Sequence, residues 1–491
     1  MMRYSSSLLI AFALATPIIA ADSVEFQLTL DAKALDKPFA GRVYVLLTKN
    51  EPRLLTSSLN WFNPEPSFAD DVKNWKPGTA IELGAKSLAF PIPLKDLKAG
   101  KWFAQAAIDR DLGGISFSAS PGNVYSKPVA FTHDPEAPAT VNLTLDQISR
   151  ETPFKVTEQV KYIELESRLL TKFHGKPMTM RAGVILPPSH AKEPGRKYPV
   201  VYEITGFGGD HNSTQFAVAR KPWDVAGTEV IWVVLDANCR LGHHVFADSA
   251  NNGPVGTALV DEFIPHLEKT FRGTGKGSQR LVTGHSSGGW SSLWLQVRYP
   301  DAFAGCWSTS PDPVDFRDFQ RVNLYEPKAN LFKNPDGKLR DLSRSVGGKA
   351  LQFQSFSNME VLMGRGGQLA SFEAAFSPKD KTGQPRKLWD RTTGAIDPIT
   401  AKSWEPYDIR RKLDAEWDKL GPKLQGKLHV YMGDDDTFYL DGAARLLKKS
   451  LDAKEYDDAV ELFPKKTHAL VDAVLRKRMN REMAARLKIG E

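Results

Sequence analysis

Cysteine is scarce in this chain, and neither a repeat nor a long apolar segment dominates it. The 491 residues include two cysteines, Cys239 and Cys306. They allow at most one disulfide bond, which excludes a disulfide framework, and two free thiols are equally compatible with the sequence. No internal repeat occurs, which excludes a repeat architecture. No apolar run beyond the N-terminus is long enough to cross a bilayer, so stable membrane insertion is not expected.

Charge of one sign is not concentrated either. The chain has 65 Lys and Arg residues and 58 Asp and Glu residues, which give a formal net charge of +7. The densest basic cluster, 476–488, falls on a predicted C-terminal helix and is interpreted as a solvated helix face, so no nucleic-acid partner is expected. The composition is typical of a globular protein, and the length predicts two or three domains. Composition carries no information on the oligomeric state.

The first residues have the pattern of a secretory signal peptide. Arg3 supplies a positive charge, residues 8–14 form a short apolar core, and Ala20 or Ala21 offers a cleavage point. This core is too short for a membrane anchor. We therefore predict a signal peptide over residues 1–21 and a mature protein that is periplasmic or secreted.

Residues 22–150 have the pattern of a β-sandwich domain. Val24–Leu30 alternates apolar and polar residues, and no helical periodicity follows within this region. Trp61, Trp75 and Trp102 are interpreted either as a sugar-binding face or, more often, as core or interface residues. The further strand candidates are 42–47, 87–94, 102–108, 129–132 and 140–145.

From residue 151 to residue 491 strands and helices alternate, which predicts an α/β domain with a mostly parallel sheet and helices on both faces. Segments 198–205 and 230–235 are near-continuous apolar runs, as expected for strands covered on both sides. Segments 155–167 and 178–186 are predicted to be two strands joined by a turn at Gly175. The later predicted elements are strands at 281–283, 303–308, 427–432 and 459–463, and helices at 259–271, 441–451 and the C-terminus.

Residues 311–426 interrupt this alternation with a long segment that shows little strand pattern. Gly, Pro, Lys and Asp are frequent there, together with aromatic residues such as Phe356 and Trp404. A segment of this length is too long for a plain loop. We predict a partly helical, cap-like insertion near the active site, with a peripheral elaboration as the alternative.

Segment 281–292, LVTGHSSGGWSS, carries the strongest functional signal. An apolar run leads into G-x-S-x-G at 284–288, and a helical pattern follows. This order is typical of a nucleophile elbow, in which a serine hydroxyl sits on a sharp strand-to-helix turn. Only Ser286 has glycine at both flanking positions, so it is the candidate nucleophile. The same five-residue pattern also arises by chance in chains of this length.

A serine nucleophile needs a histidine base and a carboxylate that orients the histidine. His468 lies in the loop after the predicted strand 459–463, which is the order and position expected of the base. The loop after strand 427–432 holds three adjacent carboxylates, residues 434–436, each of which fits the acid.

Two main-chain amides are expected to bind the negative charge that develops on the substrate oxygen. One belongs to Ser287, directly after the candidate nucleophile, and the other to the glycine-rich loop 206–210. The alternative interpretation is that this loop is an ordinary glycine turn without a role in the reaction. His243 and His244 precede the serine and are candidates for lining its pocket.

Several segments also follow the pattern of one known family. They are VILPPSH at 184–190, YEITGFGGD at 202–210, VDEFIPHLEKTFR at 260–272, TGHSSGGWSSLWLQVRYPDAFAGCWSTSP at 283–311, and GDDDTF with PKKTH. Through them, residues 155–310 and 427–480 resemble the esterase-D-like branch of the α/β-hydrolases. That branch includes S-formylglutathione hydrolases, feruloyl esterases, enterochelin esterases and mycolyltransferases. The N-terminal β domain and the insertion fall outside the resemblance.

The resemblance implies an α/β-hydrolase fold and a role for each member of the triad. Ser286 is the nucleophile and His468 the base. The family's G-x-x-D-x-F pattern aligns on segment 433–438, which makes Asp436 the preferred acid. The amides of Phe207 and Ser287 correspond to the family's oxyanion hole.

We therefore predict an exported serine esterase that hydrolyses carboxylic esters through a Ser–Asp–His triad and an acyl-enzyme. No metal or organic cofactor is implied, and the partner is a small-molecule or carbohydrate-linked ester. An acyltransferase with the same triad is the first alternative. A non-catalytic carbohydrate-binding protein is the second, and a peptidase is a weaker third.

Overall fold

The computed structural model describes residues 24–50, 59–117 and 120–489. The predicted signal peptide lies outside these residues. In the described part, no helix is both long and apolar enough to cross a membrane. Cys239 and Cys306 are free thiols and do not form a disulfide.

In its described residues, the N-terminal domain consists of strands, loops and one short turn of helix. The rings of Phe26 and Phe68 lie 6.2 Å apart. Their two strands are not neighbours in the sheet order. The sheet is therefore folded over, so that its two halves enclose one apolar core. The strands are β1 (Val24–Leu30), β2 (Phe39–Thr48), β3 (Ser67–Trp75), β4 (Ala80–Leu83), β5 (Leu88–Phe90), β6 (Gly100–Ile108), β7 (Val124–Ser126), β8 (Val129–His133) and β9 (Ala139–Ile148). Their order in the sheet is β4-β1-β9-β7-β6-β2-β3-β5, with β8 beside β6.

Three of these strands, β3, β4 and β7, are absent from the sequence prediction. Only the first three residues of β3 and its last residue, Trp75, are buried, so the strand lacks the alternation that would reveal it. Trp75 and Trp102 lie in the core at 3% and 6% exposure and form no sugar-binding face. Trp61 has a different position, described with the site below.

The second domain contains an eight-stranded mixed sheet, which confirms the predicted α/β-hydrolase class. Its strands are β10 (Val160–Glu166), β11 (Thr179–Ile185), β12 (Val200–Ile204), β13 (Ile231–Leu235), β14 (Arg280–His285), β15 (Gly305–Thr309), β16 (Leu428–Gly433) and β17 (Val460–Phe463). They lie in the order β10-β11-β13-β12-β14-β15-β16-β17. The pairs β10–β11 and β11–β13 are antiparallel, and every later pair is parallel. The carboxyl ends of β12 to β17 therefore meet at one edge of the sheet.

Both faces of this sheet are covered. On β12, Val200, Tyr202 and Ile204 face the larger apolar core, whereas Val201 faces a second core on the opposite side. This two-sided burial explains the near-continuous apolar runs of the central strands. The helices of eight residues or more in the described chain are α1 (Ile264–Phe271), α2 (Ser287–Arg298), α3 (Phe353–Met363), α4 (Gln368–Phe376), α5 (Ile409–Leu424), α6 (Asp441–Asp452) and α7 (Ala473–Ile489).

The turn predicted at Gly175 was wrong, because a short helix, Arg168–His174, separates β10 from β11. Ser167 caps this helix by accepting a hydrogen bond from the Leu170 amide at 3.1 Å. Gly175 ends it in the left-handed conformation with φ 67°. A seven-residue helix is too short to show a clear helical period in the sequence.

The predicted helix 259–271 is divided in the structure. A π-helical segment, Leu259–Phe263, precedes α1. Pro265 lies in the first turn of α1, which continues the π-helical segment without a break, and its ring supplies no N–H at this point. The helix thus changes type next to Pro265.

The insertion 311–426 is partly helical, since α3, α4 and α5 belong to it, and it packs against the N-terminal domain. The Arg42 guanidinium donates to the carbonyls of Val361 and Leu362 at 2.5 and 3.1 Å. Arg365 donates to both carboxylate oxygens of Asp109 at 2.6 Å. These contacts hold the N-terminal domain over the carboxyl edge of the second sheet.

Candidate active site

Ser286 occupies a strained turn between β14 and α2. Its φ and ψ are 59° and −122°, a combination that side chains other than glycine rarely adopt. A Cβ on Gly288 would lie 1.9 Å from the Ile204 carbonyl oxygen, and one on Gly284 would lie 2.1 Å from the Gly288 carbonyl oxygen. The G-x-S-x-G spacing is therefore imposed by main-chain contacts on both sides of Ser286, as a nucleophile elbow requires.

The elbow gives a direct stability prediction. We expect Gly288→Ala to lower the free energy of unfolding by about 3 kcal/mol or more, because only movement of the main chain can relieve the contact with Ile204. Gly195→Ala is the matched control, since a Cβ there would meet nothing within 4 Å. Chemical denaturation of both variants measures the difference, and equal stability of the two would show that the turn can relax.

His468 and Asp436 form a hydrogen-bonded pair at the same edge of the sheet. Nδ1 of His468 lies 2.8 Å from Oδ2 of Asp436, whose side chain is fully buried. Asp436 also accepts hydrogen bonds from the amides of Phe438 at 2.8 Å and Leu440 at 3.3 Å. An ionised Asp436 selects the imidazole tautomer with the proton on Nδ1, which leaves Nε2 to accept a proton from a nucleophile.

The two neighbouring carboxylates have other partners. Oδ1 of Asp434 accepts a hydrogen bond from the Lys465 amide at 2.6 Å. Asp435 forms an ion pair with Arg344 at 3.1 Å, and its side chain is 59% exposed. Of the three candidate acids at 434–436, the structure brings Asp436 alone to His468.

Ser286 and His468 border one cavity of about 280 Å³. The rings of His468 and Phe438 pack edge to face at 5.0 Å, and those of His468 and His285 are 4.7 Å apart. Burial lowers the pKa of His285 to about 4, so this neighbour is neutral at pH 7 and adds no charge beside His468. Among the described residues, no hydrogen bond joins Ser286 Oγ to His468. The distance between a catalytic serine and its histidine is often long without substrate and commonly shortens when substrate binds.

The residues whose amides are predicted to form the oxyanion hole lie close to Ser286. Ser287 is the first residue of α2, where main-chain N–H groups have no helical partner. The loop after β12 passes directly against the elbow, since a Cβ on Gly206 would lie 3.2 Å from Ser286 Cβ. Phe207 follows in that loop and borders the cavity. The cavity therefore brings together Ser286, His468 and the loop of Phe207, with Asp436 behind His468.

The two histidines expected to line this pocket do not border it. Nε2 of His243 lies 3.1 Å from the Thr205 carbonyl oxygen. His244 borders a different and larger cavity of about 640 Å³. Burial lowers the pKa of His243 to about 4 and that of His244 to about 3, so both are neutral structural groups.

Trp61, Gln368 and Asp312 also border the cavity, a position that the sequence did not predict for them. Trp61 reaches it from the N-terminal domain, and Gln368 and Asp312 reach it from the insertion. The Ser287 hydroxyl donates to Asp312 Oδ2 at 2.5 Å, and Gln368 Nε2 donates to the same hydroxyl at 3.1 Å. Burial raises the pKa of Asp312 to about 6. Asp312 lies three residues after the end of β15, so its position near a strand end was the signal that could have identified it.

The described residues contain no group of three or more His, Cys, Asp or Glu side chains that could hold a metal ion. The groups found at the cavity are the Ser286 hydroxyl, the paired side chains of His468 and Asp436, and the main chain of the 206–207 loop. Their arrangement suits attack by a serine hydroxyl on an acyl carbon.

A comparison with curated proteins found relatives of similar sequence. Two curated proteins of Mycobacterium tuberculosis, "Esterase MT1326" and "Esterase Rv1288", are each 29% identical over 143 residues. The match covers 28% of this chain and 30% of either relative, so less than a third of their length is shared.

Solved structures were also found. A "ferulic acid esterase" is 15% identical with a TM-score of 0.41, covering 68% of this chain and 99% of that one. An S-formylglutathione hydrolase from Agrobacterium tumefaciens is 13% identical with a TM-score of 0.38, covering 67% and 94%.

A family model described as "Putative esterase" matches residues 176–468, which is more than half of the chain. The matched region begins just before β11 and ends at His468, and it includes the elbow and the whole insertion. This chain belongs to the "Putative esterase" family.

Proposed function

We propose that this protein is an exported serine esterase that hydrolyses carboxylic esters through Ser286, His468 and Asp436. The observation that carries the proposal is the 2.8 Å contact between His468 Nδ1 and Asp436, with Ser286 on the same cavity wall. Histidine oriented in this way is the base that a serine nucleophile requires.

The reaction follows from these positions. His468 Nε2 takes the proton of the Ser286 hydroxyl while Oγ attacks the ester carbonyl, and the amides of Phe207 and Ser287 bind the oxyanion. The tetrahedral intermediate collapses as His468 returns the proton to the departing alcohol. Water then attacks the acyl-enzyme, giving its proton to His468, and the acid leaves with Ser286 restored. Asp436 stabilises the imidazolium in both halves of the reaction.

The cavity limits what this site accepts. A volume of about 280 Å³ has room for a short acyl or alcohol group, and larger parts of a substrate must remain outside. Aromatic rings from both domains line it, including Trp61, Phe356 and Phe372. This lining favours a small ester with an apolar or aromatic surface.

A fluorophosphonate probe tests the proposal directly, because it reacts with an activated serine and leaves ordinary serines unmodified. We expect stoichiometric labelling of the intact protein, with peptide mapping placing the adduct on Ser286. Hydrolysis of p-nitrophenyl acetate should disappear in step with labelling. An adduct on another serine, or no adduct in protein that hydrolyses the ester, would contradict the proposed nucleophile.

Export is a separate part of the proposal and rests on the sequence of residues 1–21 alone. N-terminal sequencing of protein recovered from the periplasm or medium is expected to begin near residue 21 or 22. A mature protein that retains Arg3 would contradict export by this route.

A further inference from the structure

The cavity that holds Ser286 contains one acidic side chain that the ester mechanism does not use. Asp312 borders the cavity and is 5% exposed. Its Oδ2 accepts hydrogen bonds from the Ser287 hydroxyl at 2.5 Å and from Gln368 Nε2 at 3.5 Å. Among the described residues, no hydrogen bond reaches Oδ1 and no Lys or Arg pairs with this carboxylate. A buried carboxylate is unfavourable without a counter-charge.

Aromatic rings form much of the surrounding wall. The ring centroid of Trp61 is 6.1 Å from that of Phe207, 4.9 Å from Phe356 and 6.2 Å from Phe438. The described residues lining the cavity include no Lys or Arg. Ring faces attract cations, and quaternary ammonium groups are recognised by such aromatic walls. An aromatic cavity with one carboxylate therefore favours an ammonium group over a neutral or anionic one.

The position of Asp312 beside the oxyanion hole adds a second argument. Its amide donates to the Ser286 carbonyl at 3.3 Å, and its carboxylate accepts from the Ser287 hydroxyl. Negative charge thus lies next to the amide that is to bind the oxyanion. Two negative charges repel strongly in a poorly hydrated cavity, and a cation on the substrate would compensate for this repulsion.

We propose that the substrate of this enzyme is an ester that carries an ammonium group, and that Asp312 and the aromatic wall around Trp61 bind this group beside Ser286. The inference rests on the proposed esterase function and names the substrate class of the same site. Asp312 acts as a binding residue, while the covalent chemistry remains with Ser286 and His468.

Two matched pairs of esters test this specificity. The first pair is acetylthiocholine and S-(3,3-dimethylbutyl) thioacetate, which place the charged or neutral group in the leaving half. The second is the p-nitrophenyl esters of 4-(trimethylammonio)butanoate and 5,5-dimethylhexanoate, which place it in the acyl half. In at least one pair, we expect wild-type kcat/KM to favour the cationic ester by about 10- to 100-fold.

Two variants test whether Asp312 and Trp61 cause the preference for the cationic ester. Asp312→Asn is expected to reduce the ratio of the two kcat/KM values to about threefold or less, and Trp61→Leu to lower it by about threefold. Asp318→Asn is the matched control, because this carboxylate accepts a hydrogen bond from the Arg321 amide and does not border the cavity. Its ratio should equal that of the wild type. A ratio is used because Asp312 also contacts Ser287, whose displacement would slow both esters alike.

The pH dependence of the ratio separates charge from position. The pKa of Asp312 is raised by burial to about 6; the charge of Asp436 also raises it, whereas the charge of His468 and the Ser287 hydrogen bond lower it. The preference for the cation is therefore expected above pH 6 and lost as the pH falls through it.

Binding of tetramethylammonium, measured by calorimetry, provides a readout that needs no turnover. Weaker binding to Asp312→Asn than to wild type would support the inference. It is overturned if the wild type prefers the neutral ester in both pairs, if Asp312→Asn keeps the full preference, or if both proteins fail to bind the ion. Absence of fluorophosphonate labelling would instead contradict the proposed function, so the two failures are distinguishable.

Discussion

Replacement of Ser286 by alanine is expected to lower kcat for p-nitrophenyl acetate by about 10⁴- to 10⁶-fold. The variant lacks the hydroxyl that attacks the carbonyl, while the elbow, the cavity and both oxyanion amides remain. Any residual rate would come from these amides and from substrate binding, with water as the nucleophile. Steady-state kinetics on protein whose circular dichroism matches the wild type measure the loss.

Ser287→Ala is the matched control for this experiment. Its hydroxyl contacts Asp312 and Gln368, whereas its contribution to the reaction is a main-chain amide that alanine retains. The expected loss is about tenfold or less. Equal losses in the two variants, or turnover by Ser286→Ala above about 1% of wild type, would place the nucleophile elsewhere.

Features that depend on local chain geometry were accessible from the sequence. The elbow was found because main-chain contacts at Gly284 and Gly288 leave no space for a Cβ, so the motif records a steric requirement. His468 and the 434–436 loop were found because parallel strands place their carboxyl ends at one edge. Order along the chain and strand ends therefore sufficed to name Ser286, His468 and the loop that holds the candidate acid.

The acid of the triad could not be chosen from the local sequence alone. Three consecutive aspartates share one loop, and composition does not distinguish them. The resemblance favoured Asp436, and the structure gives the physical difference: Asp436 is buried and accepts two main-chain N–H groups, whereas Asp435 points to solvent and pairs with Arg344. Burial and hydrogen bonding of this kind arise only once the loop is folded.

The substrate side of the cavity was not predictable for a different reason. Trp61 belongs to the N-terminal domain and Gln368 to the insertion, and both border the cavity of Ser286. Contacts such as those of Arg42 and Arg365 join these two parts of the chain. Contacts between residues hundreds of positions apart leave no periodic pattern in a single sequence. The N-terminal domain therefore helps to shape the active site, a role that its β-strand pattern alone did not suggest.

Asp436→Asn is expected to lower kcat by about 10⁴-fold at pH 7 with a smaller change in KM. The amide is similar in size to the carboxylate, so the loop is expected to keep its fold. An asparagine can present an N–H to His468 Nδ1, which favours the tautomer with the proton on Nε2. That tautomer cannot accept the proton of Ser286, and the neutral amide also fails to stabilise the imidazolium.

Asp435→Asn is the matched control, because it makes the same carboxylate-to-amide replacement at the adjacent residue. Asp435 is 59% exposed at its side chain and pairs with Arg344 at the surface, an interaction whose loss has little effect in water. Its kcat should stay within about threefold of the wild type. If both variants lose activity equally, the loop as a whole, rather than the Asp436 carboxylate, orients His468. If neither does, the 2.8 Å contact between His468 and Asp436 is not needed for the reaction, and the triad proposed here would be wrong.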